Sequence, residues 1–143
     1  MRLDRLIDEL DVMGTLGPVE ELEVTSVAHD SRRVEPGALF CCLPGRHSDG
    51  HHHAAEAVAR GAVAVLCERT LDIPATQVLV GDARVQMGRA AAAFWGHPSA
   101  RLQVVGVTGT NGKTTTAWLL RAILEAAGRP TGLLGTLAGA LTT

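Results

Sequence analysis

Residues 106–116 read GVTGTNGKTTT, and this stretch constrains the chain more than any other. An apolar run, LQVVGV at 102–107, leads into it, and an amphipathic run, TTTAWLLRAILEAAG, follows at 114–128. The expected order is strand, glycine-bearing loop, helix. Gly109 and Gly112 let the backbone bend and turn its N–H groups inward. Those amides, with the positive end of the following helix, make an anion site. Lys113 adds a point charge suited to the β and γ phosphates of a nucleotide, and the Thr114 hydroxyl is placed to ligate Mg²⁺. The general phosphate-loop pattern G-x4-G-K-[ST] is met except at its first glycine, whose place Val107 takes. Gly109, Thr110, Asn111, Gly112, Lys113, Thr114 and Thr115 are therefore the expected ATP-binding residues, and Lys113 the expected catalytic one. Its loss from a working site costs on the order of 10²–10³ in rate, by analogy with removing one preorganised donor. The competing reading is a glycine-rich turn with a surface lysine.

The rest of the chain alternates in the same way. Leu3, Leu6, Ile7 and Leu10 fall at helical spacing in MRLDRLIDELDVMG, which predicts an amphipathic first helix. Strands are predicted over 22–28, over the apolar run ALFCCL at 38–43, over AVAVLC at 62–67 and over TQVLV at 76–80. VEPG at 34–37 is a turn signal. HHHAAEAVAR at 51–60 reads as a helix stopped by Gly61. Asp82 reads as the N-cap of a further helix that ends near Gly96 and Pro98. The segment HPSA marks a boundary, with one domain over 1–97 and the start of another over 98–143. A strand over TGLLGTL follows the loop helix. This order predicts an α/β fold with at least some parallel strands.

Composition excludes several classes. At 143 residues, 46% hydrophobic and 20% charged, the chain can bury a core of its own. Aromatics are only 3% and Tyr is absent, so the core must come from Leu, Val and Ala. A net charge of −2 argues against a nucleic-acid or anionic-membrane partner held by bulk charge. No apolar run is long enough to span a bilayer, and charged residues interrupt the first helix, so it is not a signal peptide. Cys41, Cys42 and Cys67 are odd in number and two are adjacent, which suits a reducing, cytoplasmic setting. His47, His51, His52 and His53 with those cysteines invite a metal site. Adjacent histidines point to different faces of a helix and no C-x2-C spacing is present, so adventitious binding is the better expectation.

The longer stretch TGTNGKTTT resembles the ATP loop of the Mur ligase family, which makes peptide bonds to cell-wall precursors. HDSRRVEPGALFCCLPG resembles that family's D-S-R-x-V-x-P-G-x-L-F signature, and SDGHHHAAEAVARGAVAVL its D-G-H-x-F element. FWGHPSARLQVVGVTGTNGKTTT resembles the join between its first and second domains, and TGLLGTL the strand after the loop helix. The likeness is nearest to the MurE-type branch. One departure stands out: His53 occupies the aromatic position of the D-G-H-x-F element.

The resemblance implies a small N-terminal α/β domain that binds the UDP part of a UDP-N-acetylmuramoyl-dipeptide, followed by the opening strand, phosphate loop, helix and strand of a central ATPase domain. It implies substrate contacts at His29, Ser31, Arg46, His47 and Ser48, and at Thr142 and Thr143 toward the muramyl peptide. The implied reaction uses ATP and Mg²⁺ to phosphorylate the D-glutamate carboxylate; a diamino acid's amine then attacks the acyl phosphate. Enzymes of this kind are several times longer, so the remaining central and C-terminal domains are expected to be missing and the chain alone is expected not to ligate. Two other classes compete. A self-contained small P-loop kinase or NTPase would need an acidic Mg²⁺-holding strand after the loop, yet the last acidic residue is Glu125, inside the loop helix. A non-catalytic UDP-sugar-binding module would use residues 1–97 only.

Overall fold

The run Ala64–Cys67 is apolar at every position because both faces of its strand are covered. It forms β4, near the middle of a five-stranded sheet ordered β1-β5-β4-β3-β2. The computed structural model describes residues 1–45, 48–135 and 139–140, without the side chains of 139 and 140. It divides into two units, Met1–Leu102 and Gln103–Thr143.

In the first unit, β2 (Ser26–Ala28), β3 (Ala38–Cys41), β4 and β5 (Thr76–Val80) run parallel. β1 (Val12–Leu16) pairs antiparallel with β5 at one edge. Side chains alternate between the faces with the period of two that a strand imposes. Leu39, Cys41, Ala64, Leu66, Val78 and Val80 point to one face, where they pack with Leu3 and Leu6 of α1 (Leu3–Ile7) and Ala83 and Ala90 of α3 (Ala83–Phe94). Ala38, Phe40, Cys42, Val65 and Cys67 point to the other, against Ala54 and Ala57 of α2 (Ala54–Ala59). The result is three layers, helix–sheet–helix, an α/β fold with the parallel strands that the alternation of elements predicts.

Local signals explain the boundaries. The Asp82 side chain accepts a hydrogen bond from the Val85 amide at 2.9 Å, so the predicted N-cap forms. Gly61 closes the α2 turn at φ +104° and lies against Pro36, where a Cβ would come within 2.9 Å of the Pro36 Cα. That approach packs the α2–β4 turn onto the turn before β3. The α2 region begins as a 3-10 turn over Gly50–His53, so the helix proper starts three residues later than the sequence predicts.

Two expectations fail here. The first helix ends at Ile7 rather than running through Leu10, and Val12–Leu16 is a strand. Gly14 sits at an irregularity in the β1–β5 register and faces open space, which masks the strand pattern in the sequence. The predicted strand over 22–28 is confined to Ser26–Ala28.

The second unit carries α4 (Lys113–Ala126) and a two-residue ladder between β6 (Leu133–Leu134) and β7 (Gly139–Ala140). LQVVGV, predicted as a strand, is irregular chain without a ladder among the described residues. A strand is defined by its partner, and propensity alone supplies none. The Arg129 guanidinium donates to Gln103 Oε1 at 3.1 Å and ties this segment to the end of α4. None of the α4 residues is buried. No helix among the described residues is long and apolar enough to cross a membrane.

Candidate functional site

Each unit contains residues that the sequence singles out as candidates. In the second, Gly109 lies at φ +151° and Gly112 at φ +75°, values that disfavour any residue with a Cβ. Gly112 is the N-cap of α4 and offers no side-chain acceptor, so the first-turn amides of a 14-residue helix are left for an external acceptor. A Cβ at Gly112 would meet nothing within 4 Å, so the approach to those amides is open. The Lys113 ammonium donates to the carbonyl of Gly109 and, at 3.5 Å, to that of Thr110. It therefore sits over its own loop, held by neutral acceptors that an anion would outcompete. Lys113 and Thr114 line a cavity of about 340 Å³ together with Trp118, Arg121 and Leu133. The Arg121 guanidinium stacks over the Trp118 ring at 5.3 Å from its centroid. Thr110, Asn111 and Thr115 are exposed at the same loop.

This donor set fits a polyphosphate. It combines helix N-terminal amides without a side-chain cap, one ammonium and a hydroxyl, and among the described residues no carboxylate lines the adjoining cavity. Thr114 has one hydroxyl oxygen that a divalent cation could use, and among the described residues no cluster of three His, Cys, Asp or Glu side chains could hold a metal unaided.

In the first unit, His29, Asp30, Ser31, Arg32, Phe40, His53 and Glu56 line a pocket of about 370 Å³ above the C-terminal end of β2. Asp30 caps the turn Ser31–Arg33 by accepting from the Arg32 amide at 3.1 Å. It also takes both arms of the Arg32 guanidinium at 2.9 and 2.8 Å. The Arg32 side chain, then its amide, hold the Asp30 carboxyl well below the usual carboxylate range. The pair is exposed, so it orients the turn more than it stabilises the fold. Ser31 is buried and its hydroxyl donates to Glu56 Oε2 at 2.9 Å. That bond, followed by the Arg60 charge, lowers the Glu56 pKa. The Ser48 hydroxyl meets His53 Nε2 at 2.9 Å, and His53 Nδ1 lies 3.7 Å from Glu56.

The structure thus gathers Ser31 and Ser48 around one His53–Glu56 pair, with His29 on the same pocket wall. Arg46, His47, Thr142 and Thr143 lie outside the described residues. His53 and Glu56 were absent from the expected contact set, although their i, i+3 spacing on the first turn of α2 signals that they share a face. The histidine run separates by role. His51 is buried and bonded to Asp49, while His53 faces the pocket. The three cysteines are buried free thiols. Burial pushes Cys41 up to about 12 and Cys67 up to about 11, so neither offers a thiolate at neutral pH.

Comparison with known proteins gives two family matches. The Mur ligase family, catalytic domain, matches residues 23–95, and the Mur ligase middle domain matches residues 107–143. The UDP-N-acetylmuramoyl-L-alanyl-D-glutamate–2,6-diaminopimelate ligase of Syntrophomonas wolfei is 49% identical over 139 residues, covering 96% of this chain and 28% of the relative. That of Geobacillus kaustophilus is 50% identical over 115 residues, covering 80% of this chain and 24% of the relative. The chain thus spans about a quarter of the length of these curated relatives. Among solved structures, MurF from Acinetobacter baumannii superposes with a TM-score of 0.72 at 30% identity, over 87% of this chain and 27% of that one. A UDP-N-acetylmuramoyl-L-alanyl-D-glutamate–2,6-diaminopimelate ligase superposes over 99% of this chain and 28% of that one, with a TM-score of 0.76 at 24% identity, a likeness of fold.

Proposed function

This chain belongs to the Mur ligase family, and from that premise we propose that it carries two nucleotide sites of an ATP-dependent ligase acting in the cytoplasm on peptidoglycan precursors. Residues 1–97 hold the uridine diphosphate of a UDP-N-acetylmuramoyl-L-alanyl-D-glutamate substrate. His29, Ser31 and Ser48 contact it from the pocket beside β2, with Arg46 and His47 from the same loop as Ser48. Residues 98–143 begin the ATP-binding domain, and Thr142 and Thr143 reach the muramyl peptide.

ATP supplies the phosphoryl group that activates the substrate carboxylate, with Mg²⁺ neutralising its phosphates. The chain's own contribution is electrostatic and positional. Amides from Gly109 to Thr115 receive the phosphate oxygens at the start of α4. Lys113 moves from the Gly109 and Thr110 carbonyls to the β and γ phosphates, exchanging neutral acceptors for charged ones. Thr114 offers its hydroxyl to Mg²⁺. In the other unit, Ser31 and Ser48 present hydroxyls oriented by Glu56 and His53.

The observation that carries this reading is the uncapped, glycine-led start of α4 with Lys113 as its first residue. Calorimetry on the 143-residue chain with UDP and with Mg·ATP tests it. Two independent sites are expected. Lys113→Ala weakens ATP roughly tenfold to hundredfold and leaves UDP unchanged, as removal of a charged hydrogen bond should. Ser31→Ala weakens UDP by roughly fivefold to tenfold and leaves ATP unchanged. A wild-type chain that ignores UDP overturns the substrate assignment. ATP turnover without UDP-muramyl peptide favours the small-NTPase class instead.

A further inference from the structure

The loop that presents Ser48 is anchored at its base by half-buried Asp49 and buried His51, neither of which lines the pocket beside β2. Pro44 and Asp49 close the loop through an antiparallel bridge, and the Gly50 amide donates to the Leu43 carbonyl at 3.0 Å. Gly50 is pressed against that strand end, where a Cβ would lie 2.6 Å from the Leu43 nitrogen. The next residue, His51, is only 4% exposed. Its Nε2 lies 3.0 Å from the Glu68 amide nitrogen, at the end of β4. That backbone N–H can only donate, so Nε2 accepts and carries no proton. The proton is therefore on Nδ1, which donates to Asp49 Oδ1 at 2.6 Å. Asp49 also accepts from the His51 amide at 3.0 Å and, through its other oxygen, from Arg69 at 2.9 Å. Glu68 extends the network by accepting from the Ala83 amide at the start of α3, at 2.8 Å.

We infer that Asp49 and His51 are a positioning pair: neutral His51, as its Nδ1–H tautomer, pins the base of the Ser48 loop to the end of β4 and so fixes Ser48 at the nucleotide pocket. The inference rests on the proposed uridine-nucleotide reading of that pocket. Both ring nitrogens are committed to opposite sides, one to the loop and one to the sheet. Asp49, which takes the Nδ1 proton, is the residue next to Ser48, so a change at His51 reaches Ser48 through that neighbour. The His53 ring, two residues on, then receives Ser48 at 2.9 Å. A site built this way gains affinity by arriving already ordered.

The test uses the 143-residue chain and UDP as probe. In wild type, imidazole ¹⁵N NMR is expected to show His51 as the Nδ1–H tautomer; an Nε2–H tautomer overturns the inference with no variant needed. His51→Ala is expected to weaken UDP about tenfold and to speed amide exchange at 48–51. His51→Asn, whose amide can still donate to Asp49, is expected to recover part of that loss. Equal UDP affinity for wild type and His51→Ala, with folding intact by circular dichroism, overturns the positioning role. Should His51→Ala not fold, Asp49→Asn reads the same loop: weaker UDP supports the pair, unchanged UDP overturns it. If wild type binds no UDP, the nucleotide reading falls by itself. The tautomer and the exchange at 48–51 then still decide whether the pair holds its loop.

Discussion

In the first unit, strands β3 and β4 are sealed on both faces, and Leu39, Phe40, Val65 and Leu66 are wholly buried. In the second, α4 carries apolar residues at comparable density yet buries none of them. Trp118 is 43% exposed, Leu119 60%, Ile123 65% and Leu134 93%. Both stretches follow the same rule of apolar periodicity. They differ in whether a second layer is present to receive the apolar face. Periodicity states which side of an element seeks cover, and burial requires an element that provides it. A two-residue ladder is too little sheet to cover a helix of 14 residues.

Hydrogen exchange is the harshest way to break this contrast. Amides of β3 and β4 should exchange on the order of 10³-fold or more slower than those of α4, because only the first set requires opening of a closed core. Uniform slow exchange across both units would show that α4 is covered after all.

Core substitutions sharpen the same point. Phe40→Ala removes a fully buried ring and should cost about 3–5 kcal/mol in the unfolding of the first unit. Leu119→Ala, at an exposed position, should stay within about 0.5 kcal/mol. Denaturant melts of the two variants measure both, and a comparable loss from each would equate the two regions.

Acid should act on one side of the comparison. Of 15 acidic residues, Glu125 alone follows Gln103, which leaves 15 − 1 = 14 in the first unit. The His51 amide, then the His51 ring and Arg69, hold the Asp49 carboxyl well below its ordinary value. A depressed carboxylate contributes stability above its unfolded pKa, and that contribution is lost as pH falls through the folded value. The first unit should therefore lose stability progressively below about pH 4, and Asp49→Asn should flatten that slope modestly. Thermal midpoints between pH 6 and pH 2 for wild type and variant decide it; an identical slope would remove Asp49 from the account.

Some features were legible because their cause is local. Asp82 caps α3 through a bond three residues away, and Gly61 ends α2 through its own φ. β5 spans the predicted 76–80, since four of its five residues are fully sequestered and the run is uninterrupted. The edge strand β1 was hidden because Gly14 interrupts its pattern and half of it faces water. Ser31 stood out in the sequence through its signature, whereas Glu56, which accepts its hydrogen bond, lies 25 residues away and became visible only with the fold.

The sequence by itself determined the Asp82 cap of α3, the Gly61 stop of α2 and the placement of Lys113 at a helix start, because each depends on a few neighbouring residues. Tertiary structure alone decided that His51 is sealed in a hydrogen-bonded core while His53, two residues on, faces a pocket. It also decided that Val104 and Val105, strand-like in sequence, remain exposed chain. The reason is common to both: burial and strand pairing are satisfied by atoms distant in sequence, and no local pattern states whether those atoms are there.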